Sequence, residues 1–385
     1  MNFDFYPSFA EFQKERKNGF ISPVWVDAVA DSITPISAFQ QLGFNKSPSF
    51  LLESAEWNDH VGRYSFVGYG SRLIFRGSGN LVKVTFNKTT YESYVEDNPF
   101  DEFRRIFLRY KARNFEELPG CWGGAVGYLS FDAIRWFEPT VTLPPPDDLY
   151  IPDCFFVIPE IVVIFDHRRR RLRVVFSVFP EDGHDEESYR LAREKISECL
   201  TLLSRPIAFP LLEAALHGEE VPLSSNTSQE EFLEMVTRAK EFIRAGDIFQ
   251  VVLSQRFSAP FNGDAIELYR ALRFINPSPY MFCIRCGEGI DLVGCSPEMN
   301  VRLTNHLIEI RPIAGTRRRG NSPEEDSELA AELLADPKER AEHVMLVDLA
   351  RNDIGRIAHF GSVRVQNFMT IEKYSHVMHI VSHVS

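Results

Sequence analysis

Apolar and polar positions follow two rhythms along this chain, and the change between them divides it. From residue 20 to 175 the apolar positions come in short β-branched or aromatic runs bounded by turn residues. Examples are Leu73-Ile74-Phe75, Val82-Lys83-Val84-Thr85-Phe86 and Ile161-Val162-Val163-Ile164-Phe165. Such runs predict strands. The last is followed by Asp166-His167, a basic stretch and Leu172-Arg173-Val174-Val175-Phe176, which predicts a β-hairpin with Arg168, Arg169, Arg170 and Arg171 at its turn. Over 181–203 the rhythm becomes helical, with Tyr189, Leu191, Ala192, Ile196, Cys199 and Leu203 along one stripe. Residues 205–225 hold Pro206, Pro210 and Pro222 and no regular period. They read as a linker between an N-terminal region, 1–204, and a second region, 226–385.

The second region opens with a helix whose two ends are marked by residue type. Ser228 and Glu231 form a capping box, Phe232, Met235, Val236, Ala239, Phe242 and Ile243 share a face, and Gly246 stands at the stop. A strand is expected at once, over 248–257. Alternation over 280–284 predicts another, and Leu292-Val293-Gly294 leads a further strand into Ser296-Pro297-Glu298. Ser322 and Pro323 start a helix over 324–334, and Asp336-Pro337 restarts one through about residue 352. Strands, then helices, then strands predict an α+β fold rather than a regular βαβ alternation. No internal repeat or low-complexity segment is visible.

Composition narrows the class. A chain of 385 residues with 44% hydrophobic and 25% charged residues has the make-up of a soluble globular protein with room for two domains. Its net charge of −12 argues against a nucleic-acid partner, which wants a basic face. An anionic small substrate stays open, because a local group of Arg and backbone N–H can oppose the global sign. The N-terminus has no apolar signal core and no run approaches a membrane span. Six cysteines in a chain this size need no disulfide framework, so a reducing cytoplasm is the expected home.

Candidate chemistry begins with what fails. The glycines at 68, 70, 120, 123, 124 and 127 match neither a phosphate loop nor a dinucleotide fingerprint, and read as turn and packing positions. Cys283 and Cys286, with Cys295 nearby, lack a second ligand pair and lie in a strand pattern, so they read as core thiols rather than a zinc knuckle. The basic run 168–171 reads as a solvated hairpin tip. No Gly-x-Ser-x-Gly elbow supports a serine hydrolase.

Glu339 and Glu342 are three apart on a helix and share a face, with His343 beside them. Spacing alone favours a solvated face paired with Lys338 and Arg340, because acids three apart are common on surface helices. The apolar continuation Val344-Met345-Leu346-Val347 instead sends the helix into the core, leaving two hard carboxylates at a buried edge, where they suit Mg²⁺. Glu298, at a strand end, is either a general acid raised by burial or a local turn acid. Pro312-Ile313-Ala314-Gly315-Thr316, flanked by arginines, offers backbone N–H groups to a carboxylate. Two histidines, His376 and His379, stand three apart near the end.

In this order the pieces resemble one family. LLES at 51–54, GRYSF at 62–66, GGAVGY at 123–128, DIFQVVLSQRF at 247–257 and NPSPYMF at 276–282 match it. So do GCSPE at 294–298, RPIAGTRRRG at 311–320, LLADPKERAEHVMLVDLARNDIGRI at 333–357 and EKYSHVMHIVS at 372–382. Over nearly its whole length the chain resembles the large, chorismate-binding subunits of anthranilate synthases (component I).

The resemblance implies an intertwined α/β sandwich with two antiparallel sheets and flanking helices. The implied reaction adds ammonia, delivered by a glutamine amidotransferase subunit (component II), to chorismate as its 4-hydroxyl leaves, and then eliminates pyruvate. It implies that Gly315 and Thr316 bind the substrate carboxylate, that Glu339 and Glu342 hold or support Mg²⁺, that Glu298 is the acid, and that His379 is the active-site histidine. Relatives that aminate the other ring carbon carry Lys where this chain has Ala314, and relatives that add water carry Lys where it has Gln250. Alanine cannot attack and glutamine is a poor base, so both positions point to anthranilate rather than aminodeoxychorismate or isochorismate. Feedback inhibition by L-tryptophan is implied at Glu53, Ser54, Arg63, Pro279, Tyr280 and Met281. The family also carries a further C-terminal segment with a GAPK-type motif, an Arg for chorismate and another Mg²⁺-ligand Glu. These motifs do not occur in the 385 residues. The sequence-based expectation is therefore a family fold with its C-terminal segment missing, weak or absent synthase activity from these residues alone, and, as an alternative, a non-catalytic remnant that binds tryptophan or the glutaminase.

Overall fold

The computed structural model describes residues 3–16, 19–29, 31–43, 48–55, 62–96, 98–138, 140–141, 147–207, 211–212, 221–374 and 376–385. The expected linker therefore lies partly outside the described residues.

The N-terminal region begins α1 (Phe9–Arg16), β1 (Ser22–Val29), α2 (Pro35–Gly43), β2 (Ser49–Glu53) and β3 (Tyr64–Tyr69). It continues with β4 (Leu73–Ser78), β5 (Leu81–Phe86), β6 (Thr89–Tyr94), α3 (Pro99–Phe107) and β7 (Val126–Leu129). It ends with β8 (Cys154–Ile158), β9 (Ile161–Asp166), β10 (Arg171–Val178) and α4 (Asp185–Leu203). The second region holds β11 (Ser224–Ser225), α5 (Gln229–Ala245), β12 (Phe257–Ser258), α6 (Ala265–Ile275), β13 (Tyr280–Gly287) and β14 (Ile290–Ser296). After β15 (Arg302–Thr304) and β16 (Leu307–Glu309) come β17 (Ile313–Arg318), α7 (Pro323–Ala335), α8 (Pro337–Gly355), β18 (Val365–Lys373) and β19 (Val377–Val384).

Two antiparallel sheets form a sandwich, in the orders β1-β10-β9-β3-β2-β13-β14 and β6-β5-β4-β8-β7. Strand alternation explains why they pack. Leu51 of β2 faces one way, into a core shared with Phe12, Phe39 and Ile196 of the helices. Phe50 faces the other way and meets Ile74, Phe155 and Val157 of the smaller sheet. The expected hairpin is present, with Phe165 opposite Leu172 and all six residues of β9 buried. Cys283 and Cys286 are buried free thiols, 0% and 2% exposed, in the sheet core. The larger sheet takes β1, β2, β3, β9 and β10 from the first region and β13 and β14 from the second, joined where Met281 pairs with Glu53. That shared sheet is what intertwines the two regions.

A third sheet, β17-β19-β18, is backed by α7 and α8. Both helix starts follow the expected chemistry: Ser322 accepts from Glu325 N–H, and Asp336 accepts from Lys338 and Glu339 N–H. Helix α5 likewise has its capping box at Ser228 and Glu231 and closes at Gly246, φ 83°. Yet α5 has no buried residue.

The strand expected over 248–257 is a correction. Only Phe257–Ser258 is extended, paired with Ser224–Ser225, and residues 248–256 are irregular. A strand is stable only when a neighbour takes its backbone groups, and among the described residues the pairing with Ser224–Ser225 and Asn226 reaches back only to Arg256. Its β-forming side chains are left in solvent, Phe249 90% and Val252 85% exposed. No helix among the described residues is long and apolar enough to cross a membrane.

Candidate active site

The site is built around a kink in β17. At Gly315 the pairing with β19 slips between Ala314 and Thr316, and the backbone turns through φ +69°. Only glycine adopts that conformation without steric cost. The turn also has no room for a side chain. A Cβ there would lie 3.0 Å from Leu333 Cδ1 and 3.2 Å from Glu339 Oε2, so the Glu339 carboxylate sits directly against it.

His379 of β19 closes the turn from its other neighbour. Its Nδ1 lies 2.9 Å from the Gly315 carbonyl oxygen and 3.1 Å from Thr316 Oγ1. A carbonyl only accepts, so Nδ1 carries a proton and donates it to Gly315, which leaves Nε2 outside this bond. The Tyr374 ring stands edge-on to the imidazole, 5.5 Å between centroids. Glu298 follows the end of β14 in a local turn, where its N–H donates to Ser296 Oγ at 3.3 Å. Loss of hydration raises its carboxyl above the ordinary value, while the Ile313 N–H and nearby His379 act in the opposite direction. Glu298 thus makes the local turn bond, and burial raises its carboxyl.

Glu339 and Glu342 project from the first turns of α8, both partly buried, with the Glu339 side chain 20% exposed. His343, next along, is fully buried and hydrogen-bonds Ser382 Oγ at 2.7 Å. The helix therefore does enter the core just beyond the two acids. Among the described residues no group of three or more His, Cys, Asp or Glu side chains converges on one point. Glu339 at the glycine turn, with Glu342 one turn further along α8, nonetheless fits Mg²⁺, which is held through one or two carboxylates and keeps waters and substrate oxygens as its other ligands.

Gln250 is not brought to this group. It is exposed on the irregular stretch before β12 and makes no hydrogen bond to the other candidates among the described residues. Ala314, by contrast, is 9% exposed and sits beside the turn.

A second cluster lies at the join of β2 and β13. Glu53 and Ser54 line a cavity of about 260 Å³ with Ser65, His167, Arg170 and Arg273. Glu53 is almost fully buried and ion-paired with Arg273 of α6. Met281 of β13 pairs with Glu53 and is itself packed in the main core, with Tyr280 at the strand start and Pro279 just before it. Arg63 is paired with Asp166 at 2.9 Å and lines a neighbouring cavity of about 200 Å³. Asp166 and Arg171 belong to the walls of both.

Sequence reading missed Arg273 and gave Arg317 only as one of the arginines flanking the turn. The Arg317 guanidinium donates to Glu332 at 2.9 Å and Asp336 at 3.0 Å, and lies 3.7 Å from Glu339. Its position one residue beyond the glycine turn was the available signal.

The model of the chorismate binding enzyme family matches residues 47–385. Anthranilate synthase component 1 of Aquifex aeolicus is 41% identical over 377 residues, covering 98% of this chain and 76% of the relative. That of Acetivibrio thermocellus is 42% identical over 386 residues, covering 99% and 77%. The crystal structure of anthranilate synthase component I from Streptococcus pneumoniae superposes with a TM-score of 0.71 at 31% identity, over 93% of this chain and 75% of that one. The menaquinone-specific isochorismate synthase of Escherichia coli, at 14% identity and a TM-score of 0.59 over 98% of this chain and 74% of that one, shares the fold. The chain belongs to the chorismate-binding enzyme family, among its anthranilate synthase component 1 members.

Proposed function

We propose that this chain is the chorismate-converting subunit of an anthranilate synthase, working at the turn formed by Gly315, Thr316, His379, Glu298, Glu339 and Glu342. The observation that carries the reading is the His379 Nδ1 bond to the Gly315 carbonyl. It ties an imidazole to the backbone that would grip a carboxylate.

In this reading the N–H groups of Gly315 and Thr316 bind the ring carboxylate of chorismate. Glu339 and Glu342 would hold Mg²⁺, which neutralises and orients that carboxylate when bound. Glu298, with its carboxyl raised by burial, gives a proton to the 4-hydroxyl, which departs as water. Ammonia adds to the ring, and the ammonium so formed loses a proton to Nε2 of His379. Loss of a ring proton with pyruvate then gives anthranilate. Ala314 supplies no amine to compete with ammonia.

The test is product identity. Whatever product the purified chain forms from chorismate, Mg²⁺ and an ammonium salt is expected to be anthranilate, resolved chromatographically. Aminodeoxychorismate or isochorismate in its place would overturn the assignment. Glu298→Gln and His379→Ala are each expected to lower the yield per mole by roughly 10²–10⁴-fold.

A second reading concerns regulation and partners. The cavity with Glu53, Ser54 and Arg273 offers a carboxylate for an ammonium group and a cation for a carboxylate, which suits L-tryptophan. The name component 1 borne by the relatives supports a second component, a glutaminase that supplies the ammonia. Calorimetry with L-tryptophan should give heat and a raised melting temperature, and neither would appear if the cavity is only structural. A chain that gave this heat but no product would fit the non-catalytic alternative.

A further inference from the structure

Arg317 stands between the two halves of the proposed site and is assigned no part in it above. Three carboxylates surround its guanidinium. Glu332, at the end of α7, accepts from Nε at 2.9 Å, and Asp336 accepts from Nη2 at 3.0 Å. Glu339 Oε1 lies 3.7 Å from Nη1, too far for a hydrogen bond but within strong Coulombic reach. Nη1 also donates to the carbonyl of the preceding residue, Thr316, at 3.0 Å, beside the glycine turn. Asp336 works in two directions at once, because its other oxygen caps α8 through the Lys338 and Glu339 N–H groups at 2.9 and 3.2 Å.

A mechanical chain therefore runs from the turn, through Arg317 and Asp336, to the helix residue that presents the metal acid. Anchored by directional bonds on two sides, the guanidinium cannot swing fully onto Glu339. Its charge nonetheless opposes a divalent cation there.

We propose that Arg317 is a positioning residue: it locks the carboxylate-gripping turn to the first turn of α8 and holds down the Mg²⁺ affinity of Glu339 until an anionic substrate occupies the turn. The proposal rests on the reading of Glu339 as a metal acid. It predicts opposite changes in two binding constants, whereas a purely structural residue would weaken both together.

The experiment is calorimetric titration of the full chain, first with Mg²⁺ alone and then with chorismate at saturating Mg²⁺. Removing the charge in Arg317→Gln should tighten Mg²⁺ by about 3-fold or more, because a unit charge a few ångströms away acts strongly at a partly buried site. The same change should weaken chorismate, because the turn is no longer tied. Arg317→Lys keeps the charge without the planar fork, so Mg²⁺ affinity should return toward wild type while chorismate stays weak. Glu332→Gln, at a side chain 61% exposed, gives a variant with little risk to folding. Freed of one anchor, Arg317 should lean onto Glu339 and weaken Mg²⁺. Unchanged or weaker Mg²⁺ binding in a folded Arg317→Gln, or unchanged binding in Glu332→Gln, overturns the proposal. If wild type binds no Mg²⁺, or Glu339→Gln binds as wild type does, the metal-acid reading itself falls, and this one with it.

Discussion

At Gly315 one added methyl group meets three constraints together. The backbone is left-handed, the Leu333 methyl is 3.0 Å away and the Glu339 carboxylate 3.2 Å. Gly315→Ala should cost about 1–2 kcal/mol from the conformation alone, with the side-chain contacts adding to it. A lower urea midpoint and weaker Mg²⁺ binding are the expected readouts, and an unchanged midpoint would show that the turn relaxes freely. The permissive character of this position is legible from residue type, because glycine within an otherwise β-branched and basic stretch marks a turn or bulge. The role of Arg317 is not legible in the same way. Its carboxylates lie 15 and 19 positions ahead, on another element, and no local pattern records which arginine of 317–319 will reach them. Arg273 and Glu53 are further apart still, 220 positions, and meet only because β13 adds to β2.

Elements with locally satisfied ends were readable. Capping boxes, the Asp336-Pro337 break and the β9–β10 hairpin complete their hydrogen bonds within a few residues, so their signals are written within a few residues. The strand expected over 248–257 depended on a neighbour that local pattern cannot supply. Two elements allow direct tests. His343 fastens α8 to β19 through Ser382, whose Oγ also accepts from the Met369 N–H of β18 at 2.9 Å. His343→Ala should cost about 1–3 kcal/mol, because it strands a buried hydroxyl and opens a gap. An unchanged thermal midpoint would deny that fastening. Asp326 of α7 is held well below the usual carboxylate range by the Arg319 guanidinium and then the Gly320 N–H. Its folded pKa is depressed, so its contribution is complete above the unfolded value of about 4 and is lost as pH falls below it. The stability gap between wild type and Asp326→Asn should therefore be clear at pH 7 and shrink toward pH 3 in urea titrations. A gap that stays constant with pH would mean that the carboxylate charge is not what matters.

Across the whole molecule, burial is uneven. The sandwich joins residues from both sides of 205–225 through the shared seven-stranded sheet, and its two faces bury Leu51 and Phe50 from adjacent positions. Mixed α and β content was legible from periodicity. The way one sheet draws strands from both regions was not, because strand order is set by which faces cover one another rather than by any single run. Helix α5 lies at the other extreme, with both ends capped and no buried residue. Time, rather than shape, exposes the difference. A 17-residue helix without tertiary cover opens almost as readily as the same helix in isolation, whereas β9, buried along all six residues, opens only with the domain. In deuterated buffer the amides of α5 should exchange orders of magnitude sooner than those of β9. Equal protection would mean that in solution something shelters this helix, and the gap between the two exchange rates is a direct reading of how much of the chain's cooperativity reaches α5.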